Sequence, residues 1–248
     1  MVAPHPDDEV AGCAGTLRRH RLAGDAVTVA VVTDGRRSRA GGLAPDEMSV
    51  VRRREAEAVA ARLDFELRWL GFPEGEWRGE ALGASLAAAL EGASPAIVYA
   101  PSAVDFHPEH AAVARSLAFA LPEASTLRVR IYPVQVPLTS VLANLVSPVG
   151  ALVPTVVEAM AAYVSQSGSL QRCLRARRYA GARHALGEPA EEFWEMSAAE
   201  YRRLHGALEA VASPFRGLRY LALTDPLAYG AGRRERRRLR ERAHGSGA

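Results

Sequence analysis

Ala26-Val27-Thr28-Val29-Ala30-Val31-Val32-Thr33-Asp34-Gly35 decides the fold. The first eight residues form an unbroken apolar and β-branched run, which reads as a buried strand. The turn pair Asp34-Gly35 ends it. Working outward, Glu66 to Leu70 is a second strand, stopped by Gly71. Ala96 to Ala100 is a third, entered by Pro95 and left through Pro101. Leu127 to Val136 is a fourth, with Arg128 and Arg130 alternating with apolar partners. Helical patterns separate them. Val10, Cys13, Ala14 and Leu17 make one apolar stripe, as do Ala56, Val59, Ala60 and Leu63, and the segment Leu82 to Leu90. Strands separated by helices of this length predict a parallel sheet with right-handed crossovers. The expected fold is α/β: a Rossmann-like three-layer α/β/α sandwich with a mostly parallel sheet and extra C-terminal helices.

Past residue 137 the alternation stops. Pro137 to Val157 is apolar, but Pro137, Pro148, Pro154, Gly150 and Asn144 argue against a membrane span. A packed loop or cleft wall is the expectation there. Helical periodicity resumes from Val156 to Tyr179. Ser197-Ala198-Ala199-Glu200 is a capping-box start for a further helix, with Tyr201, Leu204, Leu208 and Val211 as its apolar face. We expect one domain over residues 1–230 and a flexible, partly helical arginine-rich tail over 231–248.

Of the 248 residues, 48% are apolar, enough for a sizeable core. The two cysteines, Cys13 and Cys173, make no disulfide framework, and Cys13 falls on an apolar stripe, so it reads as a packing residue. No secretory signal is read at the N-terminus, which makes the cytoplasm the default expectation. All 31 basic residues are arginine. The absence of lysine excludes a Walker-A phosphate site, a pyridoxal Schiff base and a lysine nucleophile. Arg233 to Arg242 holds seven arginines and two glutamates, a net of +5 in a chain whose total is +3, so the remainder sums to −2. The basic character belongs to the tail, which is where a nucleic acid or anionic surface would bind, if at all.

Two histidine clusters carry the chemistry. His5-Pro6-Asp7-Asp8-Glu9 stands at a strand-to-helix turn, where open α/β sheets place ligands. His5 and Asp8 are spaced to converge on one cation, and imidazole with carboxylate suits Zn²⁺. Asp7, adjacent to Asp8, is expected to point elsewhere. From this pentad alone an ordinary helix start is slightly favoured, since proline and acids belong in a first turn. Asp105-Phe106-His107-Pro108-Glu109-His110 shifts the balance. It too follows a strand and precedes a helix, so three of the seven histidines fall in two equivalent loops. Three ligands plus an open position is the pattern of a catalytic zinc. Such a metal lowers the pKa of its water towards ~7. A carboxylate beside it serves as base, and His107 is placed to protonate a leaving amine.

At these motifs the sequence resembles the LmbE/PIG-L family of N-deacetylases, which act mostly on N-acetylglucosamine conjugates. The family's HPDDE pentad is read at His5 to Glu9, and its second motif at His107-Pro108-Glu109-His110, where glutamate replaces the usual aspartate. The resemblance implies that His5, Asp8 and His110 ligate zinc, with Asp7 the general base and His107 the general acid or intermediate stabiliser. Fe²⁺, Co²⁺ or Ni²⁺ would also suit such ligands. Thr33-Asp34-Gly35 and Arg52-Arg53-Arg54-Glu55-Ala56 extend it. Arg52 would contact substrate, with Arg53 or Arg54 as alternatives, and Glu74 would touch the sugar where the family often has aspartate. Ser165-Gln166 resembles a pair in the family's late helix, read as structural or cleft-lining. The resemblance spans about residues 1–195. The first strand is short, with only four residues before His5.

The expected activity is removal of an N-acetyl or other N-acyl group from a small amino-sugar conjugate. The rivals are a metal hydrolase of another amide or ester, and a non-catalytic binding protein using its arginine tail on polyanions. Asp7 speaks for catalysis, because a retired site needs no second carboxylate. A homo-oligomer is compatible with the sequence, and Trp77 is a candidate for stacking on a sugar ring.

Overall fold

The computed structural model describes residues 1–102, 105, 107–123, 126–206 and 232–245. In chain order the elements are β1 (Val2–Ala3), α1 (Asp8–Leu22), β2 (Thr28–Thr33), α2 (Pro45–Leu63), β3 (Glu66–Phe72), α3 (Gly79–Ala93), β4 (Ile97–Pro101) and α4 (Pro108–Ala120). Then come β5 (Arg128–Tyr132), α5 (Thr139–Leu142), β6 (Leu145–Pro148), α6 (Val153–Ala162), α7 (Ser167–Arg183), β7 (Ala190–Ser197), α8 (Ala198–Gly206) and a last helix, here α9 (Arg233–His244). The protein is a Rossmann-like α/β fold, its helices flanking parallel and mixed sheets.

The chain divides into two compact units, each assembled from two stretches. The first comprises Met1–Arg78 and Ser147–Glu191. Its sheet has the order β1-β2-β3, all parallel, with Val2 opposite Ala30 and Val29 opposite Leu67. Val29, Val31 and Val32 are fully buried, as the apolar run requires. The α1 stripe of Val10, Cys13, Ala14 and Leu17 is buried, and so is the α2 stripe of Ala56, Val59, Ala60 and Leu63. Each large apolar side chain so covered contributes about 1.5–3 kcal/mol. Pro45 opens α2, and Glu47 reaches back to the Ala44 N–H at 3.1 Å. Asp64, in the left-handed region at φ 63°, closes it.

A buried ion pair is set against α1. The Glu191 carboxylate accepts the backbone N–H groups of Gly15 (3.0 Å) and Thr16 (2.8 Å), and Arg177 pairs with it at 2.6 Å while donating to the Val10 carbonyl at 2.7 Å. The Gly15 and Thr16 amides and the Val10 carbonyl thereby find partners from α7 and from the start of β7 rather than from water.

The second unit comprises Gly79–Val146 and Glu192–Ala248. The second sheet runs β4-β5-β7-β6. β4 and β5 are parallel, and β5 and β7 antiparallel. The antiparallel strand departs from the sequence expectation. Residues 190–197 carry Glu191, Glu192 and Glu195, so they do not read as an apolar run, yet Phe193, Trp194 and Met196 are buried. The outward acid of the pairing is satisfied locally: Glu195 pairs with Arg128 and Arg130 across the strand. The helical stretch expected from Val156 to Tyr179 is two helices, interrupted at Tyr163–Gln166. The apolar segment after residue 137 contains α5, β6 and the start of α6 rather than one loop.

The capping box opening α8 forms as read. Glu200 accepts the N–H and hydroxyl of Ser197, whose hydroxyl accepts the Glu200 N–H. Tyr201 and Leu204 are buried; Leu208 and Val211 lie outside the described residues. In the tail, Arg233–His244 is a helix with one buried face of Arg236, Leu239 and Ala243. The Arg236 guanidinium is fully buried and donates twice to the Pro137 carbonyl, at 3.1 and 2.9 Å. Arg233, Arg234, Arg237, Arg238, Arg240 and Arg242 are exposed. Amphipathicity, invisible in a count of charges, fixes this helix through its few buried positions. No helix among the described residues is long and apolar enough to cross a membrane.

Candidate functional site

In the first unit, the first histidine turn is strapped to the end of β2. Thr33 donates both its N–H (3.0 Å) and its hydroxyl (2.8 Å) to the Pro4 carbonyl. This fixes the chain where it leaves β1, and His5 and Asp8 are buried just beyond. His5 Nδ1 lies 3.3 Å from Asp8 Oδ2, which also accepts the His5 N–H at 2.9 Å. The neighbouring carboxylate turns elsewhere: Asp7 Oδ1 lies 2.7 Å from the Arg52 guanidinium. Arg52 also donates to the Pro6 carbonyl. Two adjacent acids thus have different company, one beside an imidazole and the other beside a cation.

Asp7 sits at φ 122°, ψ −21°. A non-glycine residue there stores on the order of 1–3 kcal/mol, which the surroundings must offset. Besides the Arg52 contact, the Asp7 N–H donates to Glu9 Oε2 at 3.0 Å. Glu9 is fully buried, and its Oε1 accepts the Tyr163 hydroxyl at 2.6 Å. Burial pushes the Glu9 carboxyl up to about 7, against the opposing pull of these hydrogen bonds.

Of the three consecutive arginines on α2, Arg52 alone is buried, and it faces Asp7. Arg53 pairs with Glu57 on the surface and lies over the Trp69 ring at 5.2 Å; Arg54 is exposed. Glycine at position 35 makes room for this arrangement. Gly35 is at φ +68°, and a Cβ there would stand 2.8 Å from the Arg52 Cδ. Glu74, almost buried, has Oε1 3.7 Å from His5 Nε2. Its Oε2 accepts the Arg37 N–H at 2.7 Å, and its own N–H donates to Asp34 at 3.2 Å. The loops after β2 and β3 are thereby tied together beside His5.

The second unit carries the other cluster at the start of α4. His107 is the N-cap, its Nδ1 accepting the Glu109 N–H at 3.3 Å. A ring nitrogen that accepts holds no proton, so in the neutral ring Nε2 is the protonated atom. His110, buried, is oriented the opposite way: its Nδ1 is 3.1 Å from Asp105 Oδ2. With the proton on Nδ1 held by a carboxylate, Nε2 carries the lone pair, which is how metal-binding histidines are prepared. Asp105 is itself fixed, accepting the N–H groups of His107 (3.2 Å) and Gln135 (3.2 Å). The two imidazoles lie 4.8 Å apart, tilted by 32°.

The donor chemistry of each cluster fits a borderline divalent cation. His5 and Asp8 offer a nitrogen and an oxygen, and His110 a nitrogen with its tautomer fixed.

Three supports of the site escape a reading of the sequence. Thr33 reads only as part of a turn. Asp105 has no evident task in its motif, although an acid five residues before a histidine at a helix start is a recognisable signal. Tyr163 gives none, because it is distant in sequence from Glu9. Cys13 is buried and its thiol is pushed well up by burial, as suits a packing residue. Ser165-Gln166 is structural: Ser165 bonds Glu55 twice, at 2.8 and 2.6 Å, and the Gln166 amide reaches Ser38 at 2.8 Å.

A Rossmann-like α/β fold thus carries paired carboxylates in the turn after β1 of one unit and two oriented histidines at the start of α4 in the other. Residues 1–121, just under half of the chain, match the model of the family described as PIG-L, GlcNAc-PI de-N-acetylase. The chain is similar to the conserved protein TT1542 from Thermus thermophilus, with 28% identity and a TM-score of 0.66, covering 77% of this chain and 91% of that one. It is similar to the N,N'-diacetylchitobiose deacetylase from Pyrococcus horikoshii, with 21% identity and a TM-score of 0.69, covering 88% and 86%. It is also similar to GalB, the 4-carboxy-2-hydroxymuconate hydratase from Pseudomonas putida, with 17% identity and a TM-score of 0.68, covering 79% and 94%. At these low identities the last two likenesses speak to the fold. A hydratase and a deacetylase share it, so function must be argued from the site. No curated protein matches the chain.

Proposed function

We propose that this protein is a metal-dependent N-deacetylase acting on an amino-sugar conjugate. The observation that carries the reading is the division of Asp7 from Asp8, one acid beside His5 and the other held by Arg52. Hydrolysis needs both a ligand carboxylate and a separate base, and a pure binding site needs neither in duplicate. The match of residues 1–121 to a de-N-acetylase family model supports the acetamide as the bond attacked.

On this reading His5, Asp8 and His110 hold the metal. Zinc bound there would polarise the acetamide carbonyl and acidify the attacking water; Fe²⁺, Co²⁺ or Ni²⁺ would serve the same ligands. Asp7 takes the proton from the water as its oxygen bonds to the acetamide carbon. His107, with Nε2 protonated, delivers a proton to the departing nitrogen as the C–N bond breaks, leaving acetate and a free amine. Arg52, 2.7 Å from Asp7, aims its carboxylate, and substrate contact by its remaining N–H groups is compatible with that. Glu74, beside His5, is the residue proposed to meet the sugar hydroxyls.

The test is metal content together with hydrolysis of N-acetylglucosamine conjugates. We expect about one metal ion per chain in the parent. His110→Ala weakens metal retention, whereas Asp7→Asn keeps the metal and loses at least about a hundredfold in kcat, the scale of a lost general base. A parent loaded with zinc, iron or cobalt in turn that releases no acetate from any of these substrates would refute the proposal.

A further inference from the structure

The strained residue of the site is held by a chain of contacts that begins outside both histidine motifs. Tyr163 lies in the break between α6 and α7, beyond the residues the family model matches. It is fully buried, and its hydroxyl donates to Glu9 Oε1 at 2.6 Å. The other oxygen of the same carboxylate accepts the Asp7 N–H at 3.0 Å. Asp7 is the residue at φ 122°, and its side chain is the one carboxylate of the pentad turned to Arg52. A buried carboxylate whose donor is removed reorients towards any other donor within reach. Glu9 would then stop holding the Asp7 amide, and the left-handed backbone at Asp7 would lose one of the contacts that offset its cost.

We propose that Tyr163 is a positioning residue for the reaction: acting through Glu9, it locks the backbone of Asp7 so that the carboxylate stays aimed beside the metal ligands. The proposal rests on the deacetylase reading for its kinetic consequence, but the brace itself is a statement about the Asp7 amide. A simple staple joining α1 to the later chain would stabilise the fold without touching the chemistry, and the two roles separate experimentally.

The first measurement is amide hydrogen exchange at Asp7 in the full chain, parent against Tyr163→Phe. Protection at Asp7 falls at least tenfold in the variant, while amides in β2 exchange as in the parent. The second is steady-state hydrolysis of an N-acetylglucosamine conjugate with the metal-loaded protein. Tyr163→Phe lowers kcat at least tenfold, with KM within twofold and metal content unchanged. In an Asp7→Asn background the same substitution has no further effect, because its path to the chemistry is already cut.

Unchanged exchange at Asp7 overturns the brace. So does a kcat within twofold of the parent, or a full second loss in the Asp7→Asn background. Should Tyr163→Phe melt below the assay temperature, Glu9 decides. Glu9→Gln keeps an acceptor for the Asp7 amide and stays within threefold of parental kcat and exchange, whereas Glu9→Leu falls at least tenfold in both. Equal behaviour of the two overturns the proposal. If the parent proves inactive on every substrate, the deacetylase reading fails, and the exchange data still decide the brace.

Discussion

At the scale of single residues, the site depends on one glycine as much as on its charged groups. Gly35 has φ +68°, and the Arg52 side chain passes where a Cβ would be, 2.8 Å from Cδ and 2.9 Å from Nε. Gly35→Ala meets two penalties: a backbone conformation that L-residues adopt at a cost, and a buried arginine that must move. We expect a loss of about 1 kcal/mol or more in stability. We also expect a fall in kcat exceeding the fall caused by Gly24→Ala, where a Cβ meets nothing within 4 Å. Denaturant unfolding and steady-state kinetics on both variants check this; equal kcat values would show that Arg52 tolerates displacement. The same scale shows what sequence makes legible. His5, Asp7, Asp8, His107 and His110 stand out in the chain because histidines and acids at fixed short spacings make recognisable motifs. Thr33 and Tyr163 do not, because a threonine at a strand end and a tyrosine in an apolar stretch look like their ordinary counterparts.

At the scale of elements, α8 contains two groups that make it sensitive to acid. Burial alone would raise the Glu200 carboxyl. The hydrogen bonds from Ser197 and from His244 outweigh it and bring the group down to about 2. A carboxyl held below its ordinary 4.5 adds stability that is complete above pH 4.5 and is lost as the pH falls towards 2. His205 behaves in the same direction for a different reason. Burial first, and then the charge of Arg115, lower its pKa to about 3, so the neutral ring is the folded form. An unfolded histidine takes up its proton near 6.5, and stability therefore drains away as the pH falls from 6.5 towards 3. Among the described residues neither ring nitrogen of His205 has a hydrogen-bond partner. His205→Phe removes a buried polar ring and its proton linkage together. We expect a gain on the order of 1 kcal/mol at neutral pH and a flatter dependence of Tm on pH between 6.5 and 4. Calorimetric scans across that range check it; a parallel pH dependence in parent and variant would exclude His205 as the source. The capping box itself is legible from Ser197 and Glu200, since a cap is a local device. β7 is not, because its alternation is masked by acids that only a neighbouring strand's arginines make tolerable.

At the scale of the whole molecule, the two compact units interleave along the chain. Each is closed by a segment that returns after the other has been started. The family match ends at residue 121, but the structure does not permit a cut there. A fragment of residues 1–121 leaves Glu9 without Tyr163, and Gly15 and Thr16 without Glu191. It also removes β5 from beside β4. Truncating a buried ion-pair network of this kind costs about 3–5 kcal/mol, a large part of a domain's total stability. We expect the fragment to show no cooperative thermal transition by circular dichroism, where the full chain shows one. A sharp transition in the fragment would mean that the later segments decorate a core already complete.

The sequence by itself determined the α/β class, the division of helix faces into buried and exposed, and the two motifs whose imidazole and carboxylate donors suit a metal ion. These are set by local periodicity and by short spacings that a linear chain displays. The tertiary structure alone decided which arginine of three faces Asp7, that Asp7 sits in a strained backbone, and that Tyr163 and Glu191 return to complete α1. It also decided that six exposed arginines in the tail are carried by a helix anchored through Arg236. Those outcomes depend on contacts between residues up to 176 positions apart. Partners at that separation are chosen by packing and by the need to satisfy buried polar groups, neither of which leaves a periodic trace in the chain.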